Sequence, residues 1–168
     1  MLTYFVDSDC DFNLQDCKEF GAKLISMPYS IDGKTVHPYE DFTEFDSKTF
    51  YDTLRSGVLP TTGAIPEEKY REYFEPEFAA GNDILYFHFS EAMTMTFGNM
   101  RKVVAELQDK YPGRKFYEID SKGITIISYL MGKNLFRQVR LGKSPEELVE
   151  WGKAEADHYA QYFFADDL

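Results

Sequence analysis

At 168 residues the chain is long enough to bury about two-thirds of its unfolded surface in one domain without disulfide or metal support. Its 18 Lys and Arg against 29 Asp and Glu leave a formal net charge of -11, with no basic run longer than a pair. That excludes a nucleic-acid groove, because neutralising phosphates takes clustered cations. The opening residues offer neither a basic leader nor an apolar stretch long enough for a signal peptide or a membrane span. Cys10 and Cys17, seven apart and without metal spacing, read as reduced thiols in a cytoplasmic protein. The 12 Tyr and 15 Phe are expected mostly in the core.

LTYFV (2–6) is a short apolar run that suits a strand buried on both faces. NLQDCKEFG (13–21) predicts a short helix with Asn13 as N-cap and Gly21 as stop. AKLISMPYSIDGKTV (22–36) reads as a second strand with a turn at Asp32-Gly33. SKTFYDTLRSG (47–57) is helical, capped by Ser47 and ended by Gly57. Pro60 and Pro66 bracket a loop, Thr61 to Ile65, and Pro66 opens the next helix. DILYFHF (83–89) is a strand and TFGNMRKVVAELQDKY (96–111) a helix. RKFYEID (114–120) is a further strand, and GITIISYLMGKNLFRQVRLG (123–142) a long apolar helix. SPEEL (144–148) is a capping box, and QYFFA (161–165) reads as a last strand. Strands alternating with helices predict one three-layer α/β/α domain over residues 1–168, built on a mainly parallel sheet.

Ligands of open α/β sheets bind beyond the carboxyl ends of the strands. Asp7-Ser8, Ser90 and Asp120-Ser121 stand at three such ends, and the Thr61-Thr62-Gly63 loop leads into a helix at the same edge. Together they form a candidate cradle for an anion or a carboxylate. Each also has a purely local reading, since Ser, Thr and Asp at strand ends commonly cap helices and satisfy loop N–H groups.

FVDSD at the start, IDGK (31–34), PTT (60–62), HFSEAMTMTF (88–97) and IDSK (119–122) occur in the order and spacing of the DegV family of fatty-acid-binding proteins. EFDSKTFYDTLRSG and the ending YFFADDL extend the likeness over essentially the whole chain, which therefore resembles that family's amino-terminal domain. The resemblance implies a carrier rather than a catalyst, with no cofactor. It would bind a long-chain fatty acid, hold its carboxylate at loop hydroxyls and present it to a fatty acid kinase. Residue by residue, Thr62 matches the family's loop threonine, Ser90 the first serine of its Ser-Ser-Gly-Leu-Ser-Gly pattern and Thr94 the later serine. Asp7, Ser8, Asp120 and Ser121 match its strand-end Asp-Ser pairs.

The pattern is altered at four places. Glu91 replaces the second serine, Ala92 and Met95 replace the two glycines, and Gly63-Ala64 replaces Ser-Gln. Losing glycines reshapes a loop that would let backbone approach a ligand. Two like charges about 4 Å apart repel by roughly 4 kcal/mol at an effective dielectric near 20, so Glu91 beside an acyl carboxylate must point away or be protonated, or the ligand is not a fatty acid. The family continues into a second domain that shares the acyl tunnel. The resemblance therefore implies a missing half, or a homo-oligomer that closes the tunnel by dimerising.

Two other classes stay open on the residues. DSDCD after a strand also resembles the haloacid-dehalogenase phosphatases. Asp7 would then be the nucleophile, Asp9 the general acid, Ser90 a phosphate ligand and Asp166-Asp167 magnesium ligands; Asp11 departs from that motif's Thr or Val. The other is an interaction domain without a ligand. His37, His88 and His158 share no metal spacing, and His88 reads as core.

Overall fold

The computed structural model describes residues 1–164. Four parallel strands form the main sheet: β1 (Leu2–Asp7), β2 (Ala22–Ile25), β6 (Asp83–His88) and β7 (Phe116–Asp120), in the order β2-β1-β6-β7. A second, antiparallel sheet is made by β3 (Tyr29–Ile31), β4 (Lys34–Val36) and β5 (Thr61–Thr62), in the order β4-β3-β5. The helices are α1 (Leu14–Phe20), α2 (Ser47–Arg55), α3 (Glu67–Ala79), α4 (Thr96–Lys110), α5 (Ile126–Arg140) and α6 (Pro145–Glu155). None of the described helices is long and apolar enough to cross a membrane.

β1 and β6 lie at the centre of the main sheet, which is why their apolar runs are unbroken: both faces are covered. Alternate side chains go to opposite layers. Phe5 meets Phe74 of α3 edge-on at 5.3 Å, and Tyr86 packs near Phe74 and Phe97 of α4. Tyr4 instead meets Phe136 of α5 at 5.9 Å, and Phe136 stacks on Phe20 of α1. This is the expected three-layer α/β/α arrangement. Two helical glycines set the spacing of the second layer. A Cβ on Gly132 would stand 2.6 Å from the Phe12 ring and one on Gly152 2.5 Å from Ile119, so α5 and α6 approach closely only because those side chains are absent.

Several expected boundaries shift for identifiable reasons. Residues 22–36 are three strands: β2 joins the main sheet, while β3 and β4 form a hairpin whose Asp32 and Gly33 both have positive φ, 49° and 72°, as a two-residue primed turn demands. Asp46, not Ser47, caps α2, accepting from the Thr49 amide at 3.0 Å and hydroxyl at 2.7 Å. Thr61 and Thr62 leave the loop class to pair with β3. The long helix begins at Ile126, because Thr125 has φ 55°, outside the helical region. Residues 161–164 are not a strand; Phe163 and Phe164 are exposed, and Ala165, like Asp166 and Asp167, lies outside the described residues. The caps at Asn13 and Ser144 are full capping boxes.

The central strands are tied at their carboxyl ends by Asp7, which is completely buried. Its Oδ1 accepts from the Cys10 amide at 3.0 Å, closing the turn after β1. Its Oδ2 accepts from the Phe89 amide at 3.2 Å and the Tyr86 hydroxyl at 3.1 Å, both on the neighbouring strand or its exit. Asp7→Ala strands these three donors, so unfolding in urea should show at least about 2 kcal/mol of lost stability. A loss under about 0.5 kcal/mol would show that backbone pairing alone holds the strand ends.

Candidate functional site

A cavity of about 830 Å³ opens beyond the carboxyl ends of β1 and β6, where the topology of an open parallel sheet places ligands. Its floor is the turn after β1, with Ser8, Asp9 and Asp11, and the exit of β6, with Phe89. One side is the loop Thr62, Gly63 and Ala64; another is the 3₁₀ turn that carries Met93 and leads to Thr94 and Met95. The far wall is aromatic: Tyr29, Tyr39, Phe42, Phe45 and Phe50, joined ring to ring from Tyr39 through Phe42 and Phe45 to Phe50 and Tyr29.

The Thr62 loop is held from below. Thr96 at the start of α4 is buried, and its Oγ1 accepts the Ile65 amide at 2.8 Å. Asn99 donates to the Ile65 carbonyl at 2.9 Å. Ile65 is thereby pinned in the core, and the three residues before it face the cavity.

Two of the lining hydroxyls are set up as donors. Ser8 Oγ accepts the Met27 amide at 2.9 Å, and Thr94 Oγ1 accepts the Thr96 amide at 3.2 Å. With the oxygen engaged by an N–H, the hydroxyl proton is left to give to something in the cavity. Thr62 makes no side-chain hydrogen bond among the described residues. Ser90, beside the lining residue Phe89, is buried, and its hydroxyl likewise has no partner among them.

The remaining expected residues serve the frame around the cavity. Asp7 is enclosed, with both oxygens occupied, and burial pushes its carboxyl up from the ordinary range; a nucleophile must reach its target, and this carboxylate reaches only Cys10, Phe89 and Tyr86. Ser121 bonds Ser128 at 2.7 Å, and Asp120 accepts the Lys122 amide at 2.7 Å, so both organise the β7–α5 loop. Glu91 turns back to Arg101 and does not line the cavity. Arg101 also binds Glu118, donating from Nε at 3.1 Å. Glu118 in turn meets the buried His88 at 3.0 Å. Burial alone would raise the carboxyl of Glu118, but the hydrogen bonds from His88 and Arg101 hold it below the usual range. Both cysteines are free and buried, and burial pushes their thiols up, Cys17 to about 12. They are inert thiols at neutral pH.

Sequence reasoning missed two features. One is the aromatic wall: Tyr39, Phe42 and Phe45 recur every third residue in a stretch otherwise rich in Asp and Glu, a pattern that cannot fill a core. The other is Asp9. It is half-buried on the cavity floor, its carboxylate accepts no hydrogen bond among the described residues, and burial together with Asp7 and Asp11 pushes it up to about 7.

The family model described as DegV matches residues 2–168. A DegV domain-containing protein of Clostridium perfringens is 27% identical over 164 residues, covering 98% of this chain and 56% of the relative. A stearic acid-binding protein from Eubacterium ventriosum superposes with a TM-score of 0.78 at 18% identity, covering 94% of this chain and 52% of that one. The fatty acid kinase B3 protein of Streptococcus pneumoniae, solved with linoleic acid, superposes with a TM-score of 0.70 at 17% identity, covering 94% and 54%. At that identity the structural likeness establishes the shared fold, and the chain spans about half the length of the relatives it matches. The family match runs through the strand ends, the Thr62 loop and both layers of helices, and the chain belongs to the DegV family.

Proposed function

We propose that the chain binds a long-chain fatty acid, with the tail against the aromatic and methionine wall and the carboxylate at the hydroxyls of Ser8, Thr62 and Thr94, with Ser90 close behind. One observation carries this reading. A mainly apolar cavity, within the about 300–1,000 Å³ of small-molecule sites, has at its polar end hydroxyls whose protons have no acceptor among the described residues. An amphiphile with one anionic end and a long apolar body matches both halves. Glu91 does not oppose it, since its charge is taken up by Arg101 outside the cavity.

The same arrangement supports a carrier. Hydroxyls can hold a carboxylate but supply no activated nucleophile without a base hydrogen-bonded to them, and Ser8 Oγ bonds the Met27 amide and not the neighbouring Asp9 among the described residues. None of the lining residues is a histidine or a lysine. The solved relative described as a fatty acid kinase protein loaded with linoleic acid supports a role in presenting the carboxylate to such a kinase. Two inert, reduced thiols suit a reducing compartment, in keeping with a cytoplasmic protein. The second half of the acyl tunnel belongs, on this reading, to a further domain or to a second copy of the chain.

A hydrogen bond to a charged acceptor contributes about 1.5 to 3 kcal/mol, so Thr62→Ala should weaken palmitate binding about tenfold or more. Thr62 is exposed and its side chain makes no hydrogen bond among the described residues, so the melting temperature should hardly move. Unchanged affinity in a titration with a fluorescent fatty acid would remove Thr62 from the head-group site. The tail makes a separate expectation. Each buried methylene adds about 0.8 kcal/mol, or roughly fourfold in affinity, so saturated acids of increasing length should bind progressively tighter until the cavity is filled. Equal affinity along the series would show that the aromatic wall does not hold the tail.

A further inference from the structure

The polar end of the cavity carries two carboxylates and no cation. Asp9 and Asp11 line it, and no Lys, Arg or His does so among the described residues. An ionised fatty acid placed there would meet Asp9 as a like charge inside a largely apolar space, where repulsion is only weakly screened. We propose that Asp9 meets the acyl carboxylate through a shared proton, so that taking up the ligand is coupled to taking up one hydrogen ion. This rests on the fatty-acid reading above and assigns Asp9 a role that hydroxyls alone do not supply.

Three observations converge on it. Asp9 lines the floor beside Ser8, the hydroxyl with a proton to give. Its carboxylate has no donor among the described residues, so none of them favours its charged form by a hydrogen bond. The turn that carries it is fixed on two sides: the Cys10 amide is held by Asp7 and the Asp9 carbonyl by the Thr125 amide at 2.7 Å. The groups that bear on it are Asp7 and Asp11 on its own turn and the thiol of Cys10. Tyr29 and Tyr39 are the other titratable side chains on the cavity wall, while Ile124 and Thr125 opposite bring no charge. Two carboxyls forced together hold one proton between them, since both cannot ionise. Burial, with Asp7 and Asp11, already pushes Asp9 up to about 7, so the proton is at hand near neutrality.

The balance is simple. Below that pH the proton arrives with Asp9; above it, one proton is drawn from solvent; in either case it ends between an Asp9 oxygen and an acyl oxygen, and no other bond changes. Wild-type affinity for palmitate should therefore be level below about pH 7 and fall about tenfold for each pH unit above it. Calorimetry of palmitate binding in two buffers of different ionisation enthalpy should show uptake of about one proton per ligand at about pH 8. Asp9→Asn, which donates from an uncharged amide, should bind with no such slope and no proton uptake. Hexadecanol, whose head is neutral, should bind the wild-type chain with less than about threefold change over the same range.

A level wild-type profile with palmitate bound, or a slope that survives in Asp9→Asn, would overturn the shared proton while leaving the fatty-acid reading intact. Failure of palmitate to bind at any pH would overturn both. The proton count is read on the wild-type chain, so the test stands even if Asp9→Asn does not fold.

Discussion

The carboxylate of Asp7 is the constraint on which the cavity depends. A charge-bearing group with no exposed surface is costly unless donors surround it, and the three that do belong to the turn after β1, to β6 and to the exit of β6. Those hydrogen bonds hold two strand ends in one geometry, and the residues that follow each end form the floor of the cavity. Ser8 and Asp9 leave from one side of Asp7, Phe89 and Ser90 from the other. A strand-end Asp that looks like a ligand residue in the sequence is the post on which the cavity-lining residues are mounted.

Around that post the two walls of the cavity differ in kind. The floor is continuous with a core of fully buried aromatics, among them Phe5, Phe74, Tyr86 and Phe97. The aromatic wall stands on β3 with Tyr29, on the 37–46 loop with Tyr39, Phe42 and Phe45, and on α2 with Phe50, a helix with no buried residue. Segments with few buried contacts open at lower free-energy cost than the core they cover. A site with one firm and one yielding wall suits a long flexible ligand, because rigid donors fix the head while the wall can part to admit the tail. Met93 and Met95 at the rim extend the same property, their unbranched thioethers adapting to irregular apolar shapes.

Much of this was legible in the sequence because local chemistry and tertiary position agree. The caps at Asn13 and Ser144, the stop at Gly21 and the apolar runs of β1 and β6 carry their own signals, and the Asp32-Gly33 turn appears where the dipeptide places it. The failures have one cause, that a short segment cannot show its partner. Thr61 and Thr62 become a strand only because Tyr29 and Ser30 lie alongside. QYFFA has the composition of a strand, yet residues 161–164 pair with none. Glu91 reads as an intruder in the head-group site until Arg101, ten residues on, draws it away, and no spacing rule distinguishes that pair from two unrelated surface charges. Asp9 enters the sequence reading only as a general acid beside Asp7, because only the fold decides which of two neighbouring carboxylates lines the cavity.

That choice of neighbour gives the cavity its electrostatic character. Two cations that follow the strand ends in sequence, Arg101 and Lys122, are both engaged outside the cavity, with Glu91 and Glu118 in one case and with Asp157 in the other. What remains inside, among the described residues, is hydroxyls and the carboxyls of Asp9 and Asp11, which can hold an acid by donated hydrogen bonds but give it no counter-charge. A bidentate arginine would bind a carboxylate more strongly, and would also mask both oxygens. For a protein proposed to hand its ligand's carboxylate to another active site, weaker donors are the better arrangement. Affinity then comes from the tail, which no partner needs to touch, and the head stays exchangeable.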